Sequence, residues 1–242
     1  MAIRLKPRLQ ALAGLVPPGS IVADIGTDHA LLPVYLVRQG LAGRAIAVEN
    51  RPTTLEQARR SLERHQCGGR IDLRGGDGLD PIRRDDRVDT VVIAGLGGRT
   101  ICRILQAGRD KWDWFQNFIL QPMQEAPLLR RWLFAHGFAL AAEKLVREGE
   151  RFYEIMVARR GRQEIDDPLL FELGPCLVRR KDPLLEPFIR QKIEHCRAIT
   201  AALQKSGRPE NRIKYEYYLQ KELRLKEVLH NVGHSENRSR LS

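Results

Sequence analysis

The sequence predicts a doubly wound α/β domain followed by a helical unit, and three features carry that expectation. Short runs rich in Ile and Val recur through the chain as far as residue 160, each bounded by turn residues. Between them lie segments with apolar residues at three- and four-residue spacing, the βαβ rhythm of a parallel sheet buried on both faces. Beyond Pro168 the strand signals stop and only helical periodicity remains.

In chain order the expected strands are SIVADIG (20–26), RAIAVEN (44–50), RIDLRGGDG (70–78), VDTVVIAGLGG (88–98) and NFILQP (117–122). The segments HALLPVYLVRQG, TTLEQARRSLERHQ and GRTICRILQAG alternate with them, and EAPLLRRWLFAHG follows the fifth strand. Each would lay one apolar stripe on the sheet. After His136–Gly137 the chain reads FALAAEKLVREGERFYEIMVARRG, two strand-like runs around Glu148–Gly149, which predicts an antiparallel hairpin closing the sheet edge. The first domain is expected to span residues 1–160.

A second domain is expected over residues 161–232, interrupted at Gly174–Pro175. Ile189, Ile193, Cys196, Thr200 and Leu203 follow one helical seam. After the turn signal Ser206–Gly207–Arg208–Pro209, a second seam runs through Tyr215, Tyr218, Glu222, Leu225, Leu229 and Val232. Two antiparallel helices in a coiled-coil-like hairpin account for both. Thr200 and Glu222 are polar at seam positions, so a short three-helix cluster is the alternative. Residues 233–242, with Leu241 as their one apolar residue, are expected to be a disordered tail.

Length and composition bound the function. At 242 residues the chain suits one catalytic domain and an appendage. With 43% hydrophobic and 29% charged residues it reads as globular. No run approaches the roughly 18 apolar residues of a membrane span, and the start MAIRLKPRLQALAGLVPPG lacks the pattern of a secretory signal, so the cytoplasm is the expected location. Cys67, Cys102, Cys176 and Cys196 form no C-x-x-C pair or Cys/His spacing, so no metal or disulfide framework is expected. The net charge of +11 favours a polyanionic partner. The excess is uneven: residues 177–242 carry 15 basic and 8 acidic side chains (+7), and residues 1–176 carry 26 and 22 (+4).

The strongest local feature is ADIGTDHALLP, residues 23–33, where an apolar strand ends in an acid and a glycine before a helix. That turn faces the crevice in which α/β sheets bind ligands. Gly26 allows close backbone approach, and Asp24 and Asp28 supply acceptors. Two carboxylates repel a pyrophosphate, and neither G-x-G-x-x-G nor a P-loop ending is present, which disfavours a nicotinamide-dependent oxidoreductase. A ligand with an ammonium and a sulfonium fits better. Glu49, 25 residues after Asp24 at the next strand end, is placed to hold ribose hydroxyls. Asp77, between Gly76 and Gly78, is placed to accept from an exocyclic adenine amino group. Ala94–Gly95–Leu96–Gly97–Gly98 forms the remaining glycine-rich turn beside the crevice, and His29 is a further contact candidate.

These motifs resemble the bacterial tRNA (adenine-22, N1)-methyltransferases, and the likeness runs almost end to end: RLKPRLQALA, ADIGTDHALLP, GDGL, IAGLGG, ILQP, Tyr153–Glu154 and the helical C-terminus. The resemblance implies a Rossmann-like class I methyltransferase domain with a C-terminal helical domain, S-adenosyl-L-methionine as cofactor and tRNA as partner. It implies cofactor binding by Asp24, Gly26, Asp28, Glu49, Asp77, Gly95 and Gly97. Their neighbours Thr27, His29, Asn50, Gly76, Gly78, Ala94 and Leu96 complete the candidate cofactor set. Leu31 stands where the family often has Tyr, and Met123 where a polar residue is usual. Base contacts are therefore expected to differ.

Methylation of adenine N1 needs no dedicated base, because that nitrogen carries a neutral lone pair. Positioning should dominate, with Asp77 and Asp28 as candidates to stabilise developing charge and Gln121 to orient the base. The nucleotide is expected to be exposed from its tertiary pairing first. Arg190, Lys192, Arg197, Lys214, Lys221 and Arg224 are the candidate tRNA-phosphate contacts, with solvated helix faces or a dimer surface as the alternative reading. The rival function is a non-catalytic RNA-binding protein with a vestigial or regulatory S-adenosylmethionine pocket.

Overall fold

The structure, a computed structural model, describes residues 3–206 and 209–239, without the side chains of 209 and 233–239. Its centre is a seven-stranded sheet: β1 (Ser20–Ile25), β2 (Ala42–Glu49), β3 (Ile71–Gly75), β4 (Thr90–Leu96), β5 (Asn117–Pro122), β6 (Phe138–Glu148) and β7 (Arg151–Arg160). The order is β3-β2-β1-β4-β5-β7-β6, with the first five strands parallel and β7 antiparallel to both neighbours. The hairpin expected from the sequence thus closes the sheet edge.

Alternation along the strands sorts side chains onto two faces. Ile46, Val48, Val91, Ile93, Phe118 and Leu120 face one core. That core is covered by α4 (Gly98–Ala107) and α5 (Ala126–Ala135). Ala45, Ala47, Val92 and Ile119 face the other, covered by α2 (Leu31–Arg38) and α3 (Pro52–His65). Full burial of one such aliphatic side chain contributes about 1.5–3 kcal/mol, so this two-faced packing dominates the stability of the domain.

A further helix, α1 (Pro7–Ala13), joins that second core through Leu12 and Ala13. The sequence analysis assigns no element to this stretch. Pro7 in the first turn and the spacing of Leu5, Leu9, Leu12 and Val16 explain the helix in retrospect.

Beyond β7 come α6 (Leu169–Leu173), α7 (Pro175–Arg180), α8 (Leu185–Ser206) and α9 (Arg212–Ser239). The two expected long helices pair as a hairpin, and α6 and α7 add two short ones beneath it. Leu173, Leu177, Ile189, Ile193, Cys196 and Leu225 share their core with Leu145 of β6. Both polar seam residues are satisfied: Thr200 Oγ1 donates to Arg197 O at 3.0 Å, and Glu222 Oε1 accepts from Arg197 Nε at 2.9 Å and Lys226 Nζ at 2.7 Å. Of the predicted turn, Gly207 and Arg208 lie outside the described residues. The backbone of α9 stays helical past residue 233, where a disordered tail was expected, and residues 240–242 lie outside the described part.

Arg130, fully buried on α5, ties the helical unit to the sheet. Its Nε donates to Glu143 Oε1 at 2.7 Å, one Nη to Glu154 Oε2 at 2.6 Å and the other to Phe171 O at 2.8 Å. Glu143 Oε2 accepts from Cys176 N at 2.8 Å, so the network spans α5, β6, β7 and both short helices. Gly174 makes room for it: with φ +89°, a Cβ there would lie 2.9 Å from Arg130 Nη2 and 2.8 Å from Leu177 Cδ1. No helix among the described residues is long and apolar enough to cross a membrane.

Candidate active site

The chain turns outward from β1 to β2 on one side and to β4 on the other, so β1 marks the point where strand order reverses. At the carboxyl ends of β1, β2, β3 and β4 four turns converge on one crevice of two adjoining cavities. The first, about 280 Å³, is lined by Glu49, Asn50, Gly76, Asp77, Gly78 and Ile104. The second, about 250 Å³, is lined by Arg8, Asp24, Asp28, Leu31, Ala94 and Met123. Gly26, Arg51, Gly95 and Leu96 line both. Gly26 (φ +74°) and Gly95 (φ +79°) adopt the left-handed backbone that a side chain disfavours, which keeps the passage between the cavities open.

Each acid sits in a different environment. Asp24 is 6% exposed and, among the described residues, has no cationic partner. Burial pushes its carboxyl up to about 6, and repulsion from Asp28 and Glu49 adds to the effect. The neighbouring Thr27 hydroxyl offsets part of this, although its geometry falls short of a hydrogen bond and Thr27 Oγ1 is left buried without a partner. A buried carboxylate and an orphaned hydroxyl at one strand end suit a ligand carrying a cationic donor, such as the ammonium of a methionyl group. Glu49, also buried, is oriented through Oε1, which accepts from Asn50 N at 3.0 Å, Arg51 N at 2.8 Å and Arg51 Nε at 3.3 Å. No hydrogen bond among the described residues uses its Oε2. Asp77 is exposed and accepts from Asn50 Nδ2 at 3.4 Å.

The geometry revises several sequence-based assignments. Asp77 lines the cavity of Glu49 and Asn50, while Asp24 and Asp28 line the adjoining one. Gln121 does not face the crevice. It is 0% exposed, and its Oε1 accepts from Gly95 N at 3.2 Å and Arg8 Nη1 at 2.5 Å while its Nε2 donates to Pro122 O at 2.8 Å. It holds the Gly95 turn and Arg8 in place, so it cannot orient a base directly. Thr27, His29 and Gly97 line neither cavity. His29 is half exposed with φ +53° and its Nε2 lies 3.5 Å from Asp28 Oδ1. Arg8, Arg51, Thr100, Arg103 and Ile104 line the crevice but were missed. Arg8 comes from α1, 113 residues from its partner Gln121, and no local spacing signals such a contact.

The six basic candidates of the helical unit also divide. Lys192 is drawn inward: its ammonium lies 4.5 Å from the Phe188 ring centre, and burial lowers its proton affinity. Lys221, 17% exposed, pairs with Glu172 at 2.9 Å. Lys221 is thus committed to an ion pair, whereas Lys192 is partly buried with none among the described residues. Arg190, Arg197, Lys214 and Arg224 are exposed. Of these, Arg190 pairs with Glu186 at 2.7 Å, Arg197 with Glu194 at 2.6 Å and Arg224 with Asp167 at 2.8 Å.

A sheet of this order with one antiparallel strand, bearing acids at three successive strand ends and no pyrophosphate fingerprint, defines a class I S-adenosylmethionine-dependent methyltransferase. A sequence model of the tRNA (adenine(22)-N(1))-methyltransferases matches residues 22–228, which takes in the four strand-end turns of the crevice and most of the helical unit, and the chain belongs to that family. It is 34% identical over 233 residues to the Bacillus subtilis tRNA (adenine(22)-N(1))-methyltransferase, covering 94% of this chain and 98% of that one. The crystal structure of the B. subtilis m1A22 tRNA methyltransferase superposes with a TM-score of 0.83 at 32% identity, over 94% of this chain and all (100%) of the other. A Streptococcus pneumoniae relative, crystallised with S-adenosyl-L-methionine, gives 0.84 at 32% identity over 94% and 100% of the two chains.

Proposed function

We infer that this protein transfers the methyl group of S-adenosyl-L-methionine to N1 of adenine 22 in tRNA. The observation that carries the reading is the crevice itself: buried Asp24, oriented Glu49 and exposed Asp77 at three strand ends, in a chain of this family. The cofactor supplies an electrophilic methyl on a sulfonium. Asp24 binds its ammonium, Glu49 Oε2 takes the ribose hydroxyls, and Asp77 with Asn50 meets the adenine amino group at the other end.

The target base enters the second cavity, where Leu31, Leu96 and Met123 offer apolar walls for a flat ring. The N1 lone pair would form the new N–CH3 bond as the S–CH3 bond of the sulfonium breaks, S-adenosylhomocysteine leaving as a neutral thioether and the positive charge passing to the methylated ring. The chain's own part is to exclude water and hold the base close, which is where the proximity advantage arises. Asp28, on the same cavity and 78% exposed, faces the positive charge that develops on the methylated ring and stabilises it. The helical unit, through Arg190, Arg197, Lys214 and Arg224, grips the body of the tRNA while residues 1–160 perform transfer. A tRNA substrate places the reaction in the cytoplasm. Incubating unmodified tRNA with the enzyme and labelled methyl donor, followed by nuclease digestion and mass spectrometry, tests the reading. It expects one labelled 1-methyladenosine at position 22, and label in another nucleotide or none would reject it.

A further inference from the structure

A further cavity of about 250 Å³ lies between α5, α6 and α9, as large as the one given to the target base. Pro168, Leu169 and the Tyr217 ring supply apolar walls, and Arg131, Gln220 and Lys221 border it. We propose that it holds one unstacked nucleobase of the tRNA, other than the methylated adenine, and so positions the strand that feeds the crevice. The proposal rests on the tRNA methyltransferase reading above and adds a nucleotide subsite to it.

The walls suit a flat ring. Tyr217 is 54% exposed although aromatic, and Tyr218 steadies its ring edge to face, 5.2 Å between centres and 82° between planes. Arg131 lays its guanidinium over the Phe171 ring at 4.7 Å, which makes a second flat plate at the pocket. Unstacked bases of RNA are held in this way, on aromatic rings or guanidinium planes, with hydrogen bonds to the base edge. The exposed Gln220 side chain has no hydrogen-bond partner among the described residues, so its amide oxygen and nitrogen are both free to meet that edge.

The charges also select for a nucleotide. Lys221 pairs with Glu172 at 2.9 Å and Arg224 with Asp167 at 2.8 Å, so these four groups on the pocket cancel in pairs. Arg131 is left over, exposed and without a carboxylate partner among the described residues. A neutral interior with one cation beside it matches a neutral base that carries one phosphate, whereas an acidic peptide side chain inside would meet Asp167 and Glu172.

The position fits the same occupant. The start of α5 is tied to the crevice, because Gly98 N in the glycine-rich turn donates to Gln124 O at 3.0 Å, and Arg131 follows Ala126 by about 7–8 Å along the helix. Arg103 on α4, which packs beside α5, borders the cofactor crevice and has no acidic partner among the described residues. Arg103 and Arg131 thus mark a basic track from the crevice toward the pocket, along which the phosphates of one strand can lie.

The test combines variants with synthetic tRNAs that each lack one base. Tyr217→Ala should raise the Kd for tRNA about 5- to 100-fold, the range of one base stacked on an aromatic ring, and leave S-adenosylhomocysteine affinity unchanged. Tyr217→Phe keeps the stack and should keep most of the affinity, while Gln220→Ala, a change at an exposed side chain, should weaken tRNA binding as well. With wild-type protein, one abasic position other than 22 should weaken binding by a similar factor, and in Tyr217→Ala that position should have no further effect. If no abasic position loses its effect in Tyr217→Ala, the pocket holds no base and the proposal is overturned. It is overturned too if Tyr217→Ala and Gln220→Ala both bind tRNA like wild type, or if Tyr217→Ala sediments as a smaller species than wild type, which would assign the pocket to a second copy of this chain. Transfer assays separate the two levels: wild-type protein that shows the abasic signature and transfers no methyl group would overturn the methyltransferase reading alone, and wild-type protein that binds no tRNA would overturn both.

Discussion

Replacing Asp24 by Asn should stabilise the free protein and weaken its hold on cofactor, two effects of opposite sign from one buried charge. The carboxyl is raised from 3.8 to about 6 in the folded chain, chiefly by burial. The folded state therefore binds the proton more tightly than the unfolded state, and stability falls as pH rises through the window between those values. Above that window, a shift of this size corresponds to about 3 kcal/mol lost by the native state. The Asn amide needs partners of its own in the same place, which offsets part of the gain, so a net stabilisation of about 1–2 kcal/mol at pH 7.5 is the expectation. For a chain of this length that is a rise in Tm of about 2–8 °C. The advantage should shrink between pH 6 and 4 as wild-type Asp24 takes up its proton. Cofactor binding runs the other way: the ammonium favours ionised Asp24, so wild-type affinity for S-adenosylhomocysteine should fall up to tenfold per pH unit below 6, and Asp24→Asn should lose about 10- to 100-fold at pH 7.5. Thermal melts and calorimetry across pH 4.5–8 measure both. A variant that is no more stable at pH 7.5 and binds S-adenosylhomocysteine as tightly as wild type would refute the reasoning.

Three further outcomes follow from the structure. Glu49→Ala should weaken S-adenosylhomocysteine by about 1.5–3 kcal/mol by calorimetry, with circular dichroism unchanged, because it removes an oriented acceptor without touching the core. Arg130→Met should destabilise the chain by about 3–5 kcal/mol in urea unfolding, because Glu143 would remain buried without its cation; a loss below 1 kcal/mol would mean that the network relaxes freely. The double variant Arg190→Glu with Lys214→Glu should raise KM for tRNA and flatten its salt dependence while S-adenosylhomocysteine affinity stays the same. Unchanged salt dependence would remove the outer face of α8 and α9 from the RNA interface.

Much of the sheet was legible because its signals are local. SIVADI, NFILQP and the run to Glu148 are strands where their residues alternate between two apolar cores, and Gly149 opens the hairpin with a φ of +59°. Asp24, Glu49 and Asp77 were legible for the same reason: each lies within two residues of the end of its strand. What escaped the sequence reading depends on contacts across the chain. The inward turn of Lys192 and the pairing of Lys221 with Glu172 arise only when α8 and α9 settle on the sheet and α6. Gln121 looked available because its neighbours in sequence are apolar, but the Gly95 turn and Arg8 arrive from elsewhere and use its amide fully. A glutamine at a strand end can serve a ligand or a neighbouring turn, and only the partners decide.

The distribution of charge explains how one crevice serves a cationic cofactor and a polyanionic substrate. Asp24, Asp28, Glu49 and Asp77 line the cavities, while Arg51 and Arg103 stand at the wall with exposed side chains and the chain as a whole carries +11. The buried carboxylates of Asp24 and Glu49 repel phosphate and so disfavour entry of the RNA backbone, yet they place no charge penalty on a neutral base, which can pass where its phosphates cannot. The same carboxylates favour an ammonium and a sulfonium and disfavour a pyrophosphate, so they select against dinucleotides without any steric device. Substrate and cofactor are thus sorted by sign: the negative interior admits the cofactor, and the positive exterior draws in the RNA from which a single uncharged ring is presented. Arg51 pairs with one oxygen of Glu49 only, and buried Asp24 has no cationic partner among the described residues, so the deepest carboxylates keep most of their negative charge for a cationic ligand.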